Sequence, residues 1–545
     1  MRSVSSSMFG PCFRCGYPHS LVHQTQNAGR ASRRGAGRAV MAAMPELVLL
    51  DTEEPLGLDE VVAVARRDVP VRLTEAARAG VHDSLAHVGA LAEASTPTYG
   101  VSTGFGALAI RDIPRERRAA LQRSLIRSHA AGAGAEVERE VVRALMLLRL
   151  RTLAGGHSGV RIETLDALAG LLNAGITPVV HEYGSLGCSG DLAPLSSVAL
   201  AMMAEGQVRD SDGTLRLAAE VMAEAGVKPV ELVEKEGLAL INGTDGMLGM
   251  LVLAATDLHR LLDMTDLTAA MSVEALLGTD RVFAPDLQAL RPHPGQALSA
   301  ARMTAFLDGS AIISSHRSPD CNRVQDAYSL RCAPQVHGAA RDTLTHAELV
   351  AGRELASIID NPVVLADGRV ESNGNFHGAP LAYVLDFLAI CVADVASMAE
   401  RRTDRMLDVA RSHGLPPFLA DDPGVDSGYM IAHYTQAAVV SELKRLAVPA
   451  SVDSIPTSAM QEDHVSMGWS AARKLRRALA GLTTVLAIEL ITAARALDLR
   501  APLTPAPATA AAVARLREVV AGPGPDRHLA LEIAAAEQLI AEWDQ

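Results

Sequence analysis

Ser189 stands where small residues flank it on both sides, within Gly184-Ser-Leu-Gly-Cys-Ser-Gly-Asp-Leu-Ala-Pro194. Glycine amides are the least hindered main-chain nitrogens, and glycine reaches strained φ/ψ most cheaply. A Gly190 nitrogen pressed onto the Cys188 carbonyl carbon would close a five-membered ring. Loss of water, including the Ser189 hydroxyl, would leave an exocyclic methylene conjugated to that ring. The product would be an electrophile made from the chain itself. The same residues also read as a tight Gly/Ser turn opening a helix near Asp191, and the segment alone leaves both readings open. Other chemistry-bearing patterns are incomplete. Cys12, Cys15, His19 and His23 are zinc-ligand types, but they are too compressed for the hairpin and helix of a Cys2His2 finger, so no metal is assigned. Gly156-His-Ser-Gly-Val160 and Gly187-Cys-Ser-Gly-Asp191 lack the closing glycine of a nucleophile elbow. Gly132-Ala-Gly134 lacks the third glycine of a dinucleotide loop, and no P-loop or His-Glu-x-x-His occurs.

Helices must position these groups. Leu381, Leu385, Leu388, Val392, Val395 and Ala399 recur at three- and four-residue steps, in a run ending at Glu400-Arg401-Arg402. Leu475, Leu479, Leu482, Leu486, Leu490, Ala493 and Leu497 repeat the pattern. Each stripe puts one apolar face on a helix, and stripes this long predict a bundle. Aromatic residues are only 3% of the 545, so the core must be Ala, Leu, Val and Met. Strand signals are confined to short runs such as Leu47–Leu50 and Pro178–Val180. The predicted class is mainly α, a long central helical bundle with an N-terminal active-site region. Between the stripes lie Gly-rich islands at 99–106, 184–194, 242–244, 314–334, 372–378 and 449–467. A bundle does not need them for packing, and loops on a rigid scaffold are where binding groups tend to lie.

Fifty basic against 63 acidic residues leave a net charge of −13, which argues against nucleic acid or an anionic membrane surface as partner. No run of 18 apolar residues is free of charge, so no membrane span is expected. Six Cys without dense regular spacing suit a reducing, cytoplasmic setting. Residues 1–45 hold six Arg and no Asp or Glu, and they read as a disordered extension or misassigned start. The predicted division is then an N-terminal active-site domain over 46–235 and a long-helix bundle over 236–545.

The Ser189 segment resembles the prosthetic-group loop of the aromatic amino-acid ammonia-lyase family. Further motifs carry the resemblance: Tyr99–Gly106, Ser128–Gly132, Lys235–Thr244, Arg291–Gln296, Val324–Cys332, Asn373–Gly378 and Gln461–Met467. It extends from about residue 46 to about 505. It implies an ammonia-lyase/fumarase-like fold, a homotetramer whose active sites combine loops of neighbouring subunits, and no dissociable cofactor or metal. It also implies that Cys188, Ser189 and Gly190 form 4-methylidene-imidazol-5-one (MIO), with Cys188 in place of the commoner Ala. Tyr99 matches the family's catalytic base, although a tyrosine needs its ordinary pKa of about 10 lowered for that work. Arg331 matches the clamp on the substrate carboxylate, a task that suits a planar guanidinium. Tyr328 belongs beside it, and a three-residue spacing would set Gln325, Tyr328 and Arg331 on one side of a helical turn. Asn242 and Gln325 match amides that orient the substrate and the MIO oxygen. Phe376 matches a pocket wall, and Glu462 a second polar residue near the substrate ring.

Ser128-His129 resembles the pair in the histidine-specific members, where phenylalanine-specific ones are apolar. An imidazole needs partners for two nitrogens, and a phenyl ring would leave such groups unpaired. The resemblance therefore implies elimination of ammonia from L-histidine to give trans-urocanate. The rivals on the same scaffold are a tyrosine or phenylalanine ammonia-lyase and a 2,3-aminomutase. A fumarase/aspartase enzyme lacks its Met-Pro-x-Lys-x-Asn signature here, and an inactive scaffold would be expected to have lost Ser189, Tyr99 or Arg331.

Overall fold

The apolar stripes become long helices in the computed structural model, which describes residues 45–93, 103, 104, 111, 113–318, 321 and 323–543. Tyr99 and the Cys12, Cys15, His19 and His23 group lie outside the described residues. The interior is carried by α1 (Arg139–Ala154), α2 (Asp245–Ala275), α3 (Ala333–Leu355), α4 (Ala379–Leu407) and α5 (Gly468–Asp498). α5 packs on α2 and α4, α3 packs on the same two helices, and α1 lies along α2. The Ala/Leu composition suits this arrangement, because small unbranched side chains lose little freedom in a helix and let backbones approach.

The α4 stripe from Leu381 to Ala399 is buried as expected. The helix nevertheless continues past Glu400-Arg401-Arg402 to Leu407. Its charges do not mark a solvated end, because the Arg402 side chain is fully buried. Arg402 Nη2 donates to Glu489 Oε2 of α5 at 3.0 Å. The same carboxylate accepts from Thr268 at 2.7 Å and Ser272 at 2.8 Å, both on α2. One buried carboxylate thus joins three helices, and both its oxygens are satisfied. A buried pair of this kind is worth little over an apolar packing, but removing one partner leaves a stranded charge.

Strands are few. Val48–Leu50 pairs in parallel with Val71–Leu73. The expected strand at Pro178–Val180 is instead a crossing between two ladders. Thr177–Pro178 pairs with Gln207–Arg209, and His181–Tyr183 pairs with Ala133–Glu136. Between them, Val179 N donates to Gln207 O at 3.1 Å, while Val137 N donates to Val180 O at 2.9 Å.

By length and composition alone, Glu236–Ala275, Ala379–Leu407 and Gly468–Asp498 are apolar enough to cross a membrane, which a search for wholly uncharged runs passes over. The apolar window of the first is entirely buried inside the protein, as are 61% and 72% of the other two, so this apolarity is used mainly for helix packing.

Candidate active site

Five of the Gly-rich islands meet at one place, the 99–106 island through Gly104. Residues 184–191 run into the helix Leu192–Met202, 242–244 into α2, 372–378 into α4, and 449–467 into α5. Their backbones are tied to one another. Met467 N donates to Leu186 O at 2.8 Å, Gly378 N to Gly187 O at 3.1 Å, and Asp191 N to Gly243 O at 2.7 Å. Together they line a cavity of about 1050 Å³, with His129, Ser189, Asn242, Phe376 and Glu462 on its walls. His129 arrives as the last residue of the helix Arg115–His129.

The Cys188–Gly190 backbone is held at close quarters. Gly190 has φ +78°, and a Cβ on it would lie 2.2 Å from Gly243 O, so only glycine fits. The next residue, Asp191, is fully buried. Its Oδ2 accepts from Gly246 N at 2.8 Å and Met247 N at 3.0 Å, in the first turn of α2, and its Oδ1 accepts from Ser185 Oγ at 2.8 Å. Burial pushes this carboxyl up to about 7, against the pull of those hydrogen bonds. Behind Gly243, Arg149 Nη1 donates to Asn242 O at 2.8 Å and Ala239 O at 3.1 Å, and its Nη2 donates to Ile359 O at 2.8 Å. Beside it Lys235 and Asp360 form a buried pair at 2.6 Å, and burial pulls the Lys235 ammonium down. Sequence reasoning missed Arg149 and Asp360. The available signal for the first was an arginine inside the apolar run Leu147-Leu-Arg-Leu150.

The Glu462 carboxylate faces Ser189. Its Oε1 accepts from Ser189 Oγ at 3.0 Å and its Oε2 from Thr457 Oγ1 at 2.8 Å, while Cys188 Sγ lies 3.4 Å from Oε2. Burial, with Glu462 adding to it, pushes the Cys188 thiol up to about 12, so it stays protonated. His129 Nδ1 is 3.0 Å from Ser128 Oγ. Burial pulls the His129 imidazole down, which keeps it neutral near pH 7. Asn242 is buried, and its Oδ1 has no hydrogen-bond partner among the described residues. Phe376 is half-buried in the wall. Next to it His377 stacks on His464, ring centroids 5.6 Å apart, a pair that the sequence reading left without a role.

Gln325, Tyr328 and Arg331 do not line this cavity. Helix forms only over Tyr328–Arg331, so Gln325 lies outside the turn that its spacing predicts, in the non-helical segment before it. Tyr328 is 70% exposed. Arg331 Nε donates to Asp326 O at 2.9 Å, and its guanidinium carbon lies 4.6 Å from the Tyr328 ring centroid. The pair is formed, but neither residue lines the Cys188–Gly190 cavity of its own chain.

Known proteins match this chain over most of its length. The family described as aromatic amino acid lyase matches residues 56–518. A histidine ammonia-lyase of Streptomyces griseus is 66% identical over 487 residues, covering 89% of this chain and 95% of that protein. The crystal structure of a histidine ammonia-lyase from Trypanosoma cruzi superposes with a TM-score of 0.83 at 37% identity, over 91% of this chain and 93% of that one. A tyrosine aminomutase from Streptomyces globisporus gives a TM-score of 0.85 at 37% identity, over 91% and 97% of the two chains.

Proposed function

The chain belongs to the aromatic amino acid lyase family, and from that premise we propose that it removes ammonia from L-histidine to give trans-urocanate. The observation that carries the reading is the shared cavity, whose lining holds Ser189, His129 and Glu462 together.

The residues present suit an MIO group. Gly190 sits where a Cβ would strike Gly243, so its nitrogen is held in a crowded backbone turn beside Cys188. Asn242 Oδ1 is buried, lacks a partner among the described residues and lies on the same cavity, ready to receive a donor. Cys188, Ser189 and Gly190 would form the group, and it would supply an electrophile that eases loss of the amine, as covalent catalysis does generally.

The other residues bind and move protons. His129, kept neutral by burial, offers the substrate imidazole a hydrogen-bond partner, and Glu462, on the same cavity lining, offers a second. A phenyl ring would leave both unpaired, which disfavours the phenylalanine rival. Phe376 walls the ring in, and Asn242 orients the amino-acid end. Tyr99 takes the β-proton. The clamp of Gln325, Tyr328 and Arg331 serves the cavity of a neighbouring copy, within a homotetramer. The outward face of α4 supports such assembly, since Tyr383, Phe387 and Ile390 are 61%, 48% and 44% exposed along one stripe. The four described cysteines are unpaired, which suits the cytoplasm.

Ser189→Ala, assayed by urocanate absorbance beside the parent, tests the mechanism, and equal activity would overturn it. Parallel assays with L-tyrosine and L-phenylalanine, including a search for β-amino acid products, test the substrate. Turnover of either above that of L-histidine would overturn that part.

A further inference from the structure

We infer that Glu462 is a catalytic residue of the chain's own backbone maturation, the acid that carries the Ser189 hydroxyl away as water. This rests on the ring reading above and concerns how the ring is made. Ser189 Oγ lies 3.0 Å from Glu462 Oε1, and among the described residues no other side chain hydrogen-bonds to that hydroxyl. The carboxylate is fixed in place. Thr457 holds its other oxygen at 2.8 Å, and the Thr457 and Glu462 backbones pair with each other at 3.0 and 3.4 Å. The neighbouring acids do not reach the hydroxyl. Asp191 spends both oxygens on Ser185 and the first turn of α2. The Cys188 thiol sits against Glu462 and not against Ser189 Oγ.

The step balances without an oxidant. The Gly190 nitrogen bonds to the Cys188 carbonyl carbon. That carbonyl oxygen departs as a first water, with the Gly190 and Ser189 amide protons, and a carbon–nitrogen double bond forms. The Ser189 Cα–H bond then breaks, its electron pair forms the Cα–Cβ double bond, and the Cβ–Oγ bond breaks. Hydroxide is a poor leaving group, so the Glu462 carboxylate takes up the proton released from Cα and passes it to Oγ, which leaves as a second water. Glu462 ends as the carboxylate it began. General acid assistance at such a step is typically worth about 10²–10⁴-fold in rate.

The test reads peptide mass and needs no substrate. Wild type, Glu462→Gln and Glu462→Asp are purified as the folded oligomer, and the peptide spanning residues 188–190 is weighed over time after synthesis. The wild-type peptide should lack two waters. The Glu462→Gln peptide should stay one water heavier, with the ring closed and the hydroxyl retained, and Glu462→Asp should recover the second loss at a slower rate. Loss of both waters from Glu462→Gln at the wild-type rate overturns the proposal. Retention of both waters in Glu462→Gln beside a fully converted wild type also overturns it, because Glu462 would then act at ring closure. A wild-type peptide that keeps both waters refutes the ring reading itself.

Discussion

Gly190 offers a test in which backbone strain and crowding separate cleanly. Gly190 has φ +78° and Gly226 has φ +69°, so alanine at either pays the left-handed penalty, about 1–2 kcal/mol. They differ in what surrounds them. A Cβ at Gly226 meets nothing within 4 Å, whereas one at Gly190 falls 2.2 Å from Gly243 O and 2.5 Å from both Gly243 C and N. Ordinary contact begins near 3.4 Å, so the Gly243 backbone would have to retreat by about 1 Å. It is not free to do so, because Asp191 N holds Gly243 O and Arg149 holds the Asn242 carbonyl. Forcing a packed core in this way adds about 1–3 kcal/mol. Gly226→Ala should therefore lose about 1–2 kcal/mol and Gly190→Ala about 2–5 kcal/mol, read from urea midpoints. Gly226→Ala should keep the two-water mass loss at residues 188–190, and Gly190→Ala should not. Equal midpoints for the two variants, with the mass loss intact in both, would refute the argument that this turn is built by close approach.

His129→Phe should lower kcat/KM for L-histidine by about 10–200-fold through lost pairing to the ring, measured by steady-state kinetics; an unchanged value would remove His129 from substrate recognition. Arg402→Leu should destabilise the fold by about 3–5 kcal/mol by stranding Glu489, whereas pairing it with Glu489→Leu should recover much of the loss, read by urea unfolding of all three variants. Asp191 has its folded pKa raised to about 7 from an ordinary 3.8, so its contribution to stability is fully present below 3.8 and fades as pH rises through 7. Melting temperature scanned from pH 5 to 8 should thus fall relative to Asp191→Asn, which cannot titrate; parallel curves would contradict this assignment.

The bundle was largely legible in the sequence because its signal is periodic. Leucines at helical spacing in α4 and α5 can be buried in only one way. The islands were legible because Gly, Ser and Asn clusters interrupt that period, and five of them meet at one cavity. Other features depend on tertiary placement. Arg149, Lys235 and Asp360 are charged residues that a local reading assigns to the surface, yet burial and mutual pairing set their positions. Glu400-Arg401-Arg402 looked like a helix end because the acceptor for Arg402 lies 87 residues away. The placing of Gln325, Tyr328 and Arg331 is set by a short helical turn and by which cavity they face, neither of which spacing encodes. Glu462 was read for its place near the substrate ring. Its hold on Ser189 appears only when residues 273 apart in sequence come within 3.0 Å.

The carboxylate shared by α2, α4 and α5 reaches further than its own neighbourhood. Each of these helices begins with a loop that forms part of the cavity wall, so loop and helix move as a lever and its arm. Glu489 lies 21 residues along α5 from its first turn, roughly 30 Å at 1.5 Å per residue, and clamps all three levers at one fulcrum. A substitution at that fulcrum would tilt the cavity walls against one another without touching a substrate, so the same change that loosens the bundle would also reshape the cavity.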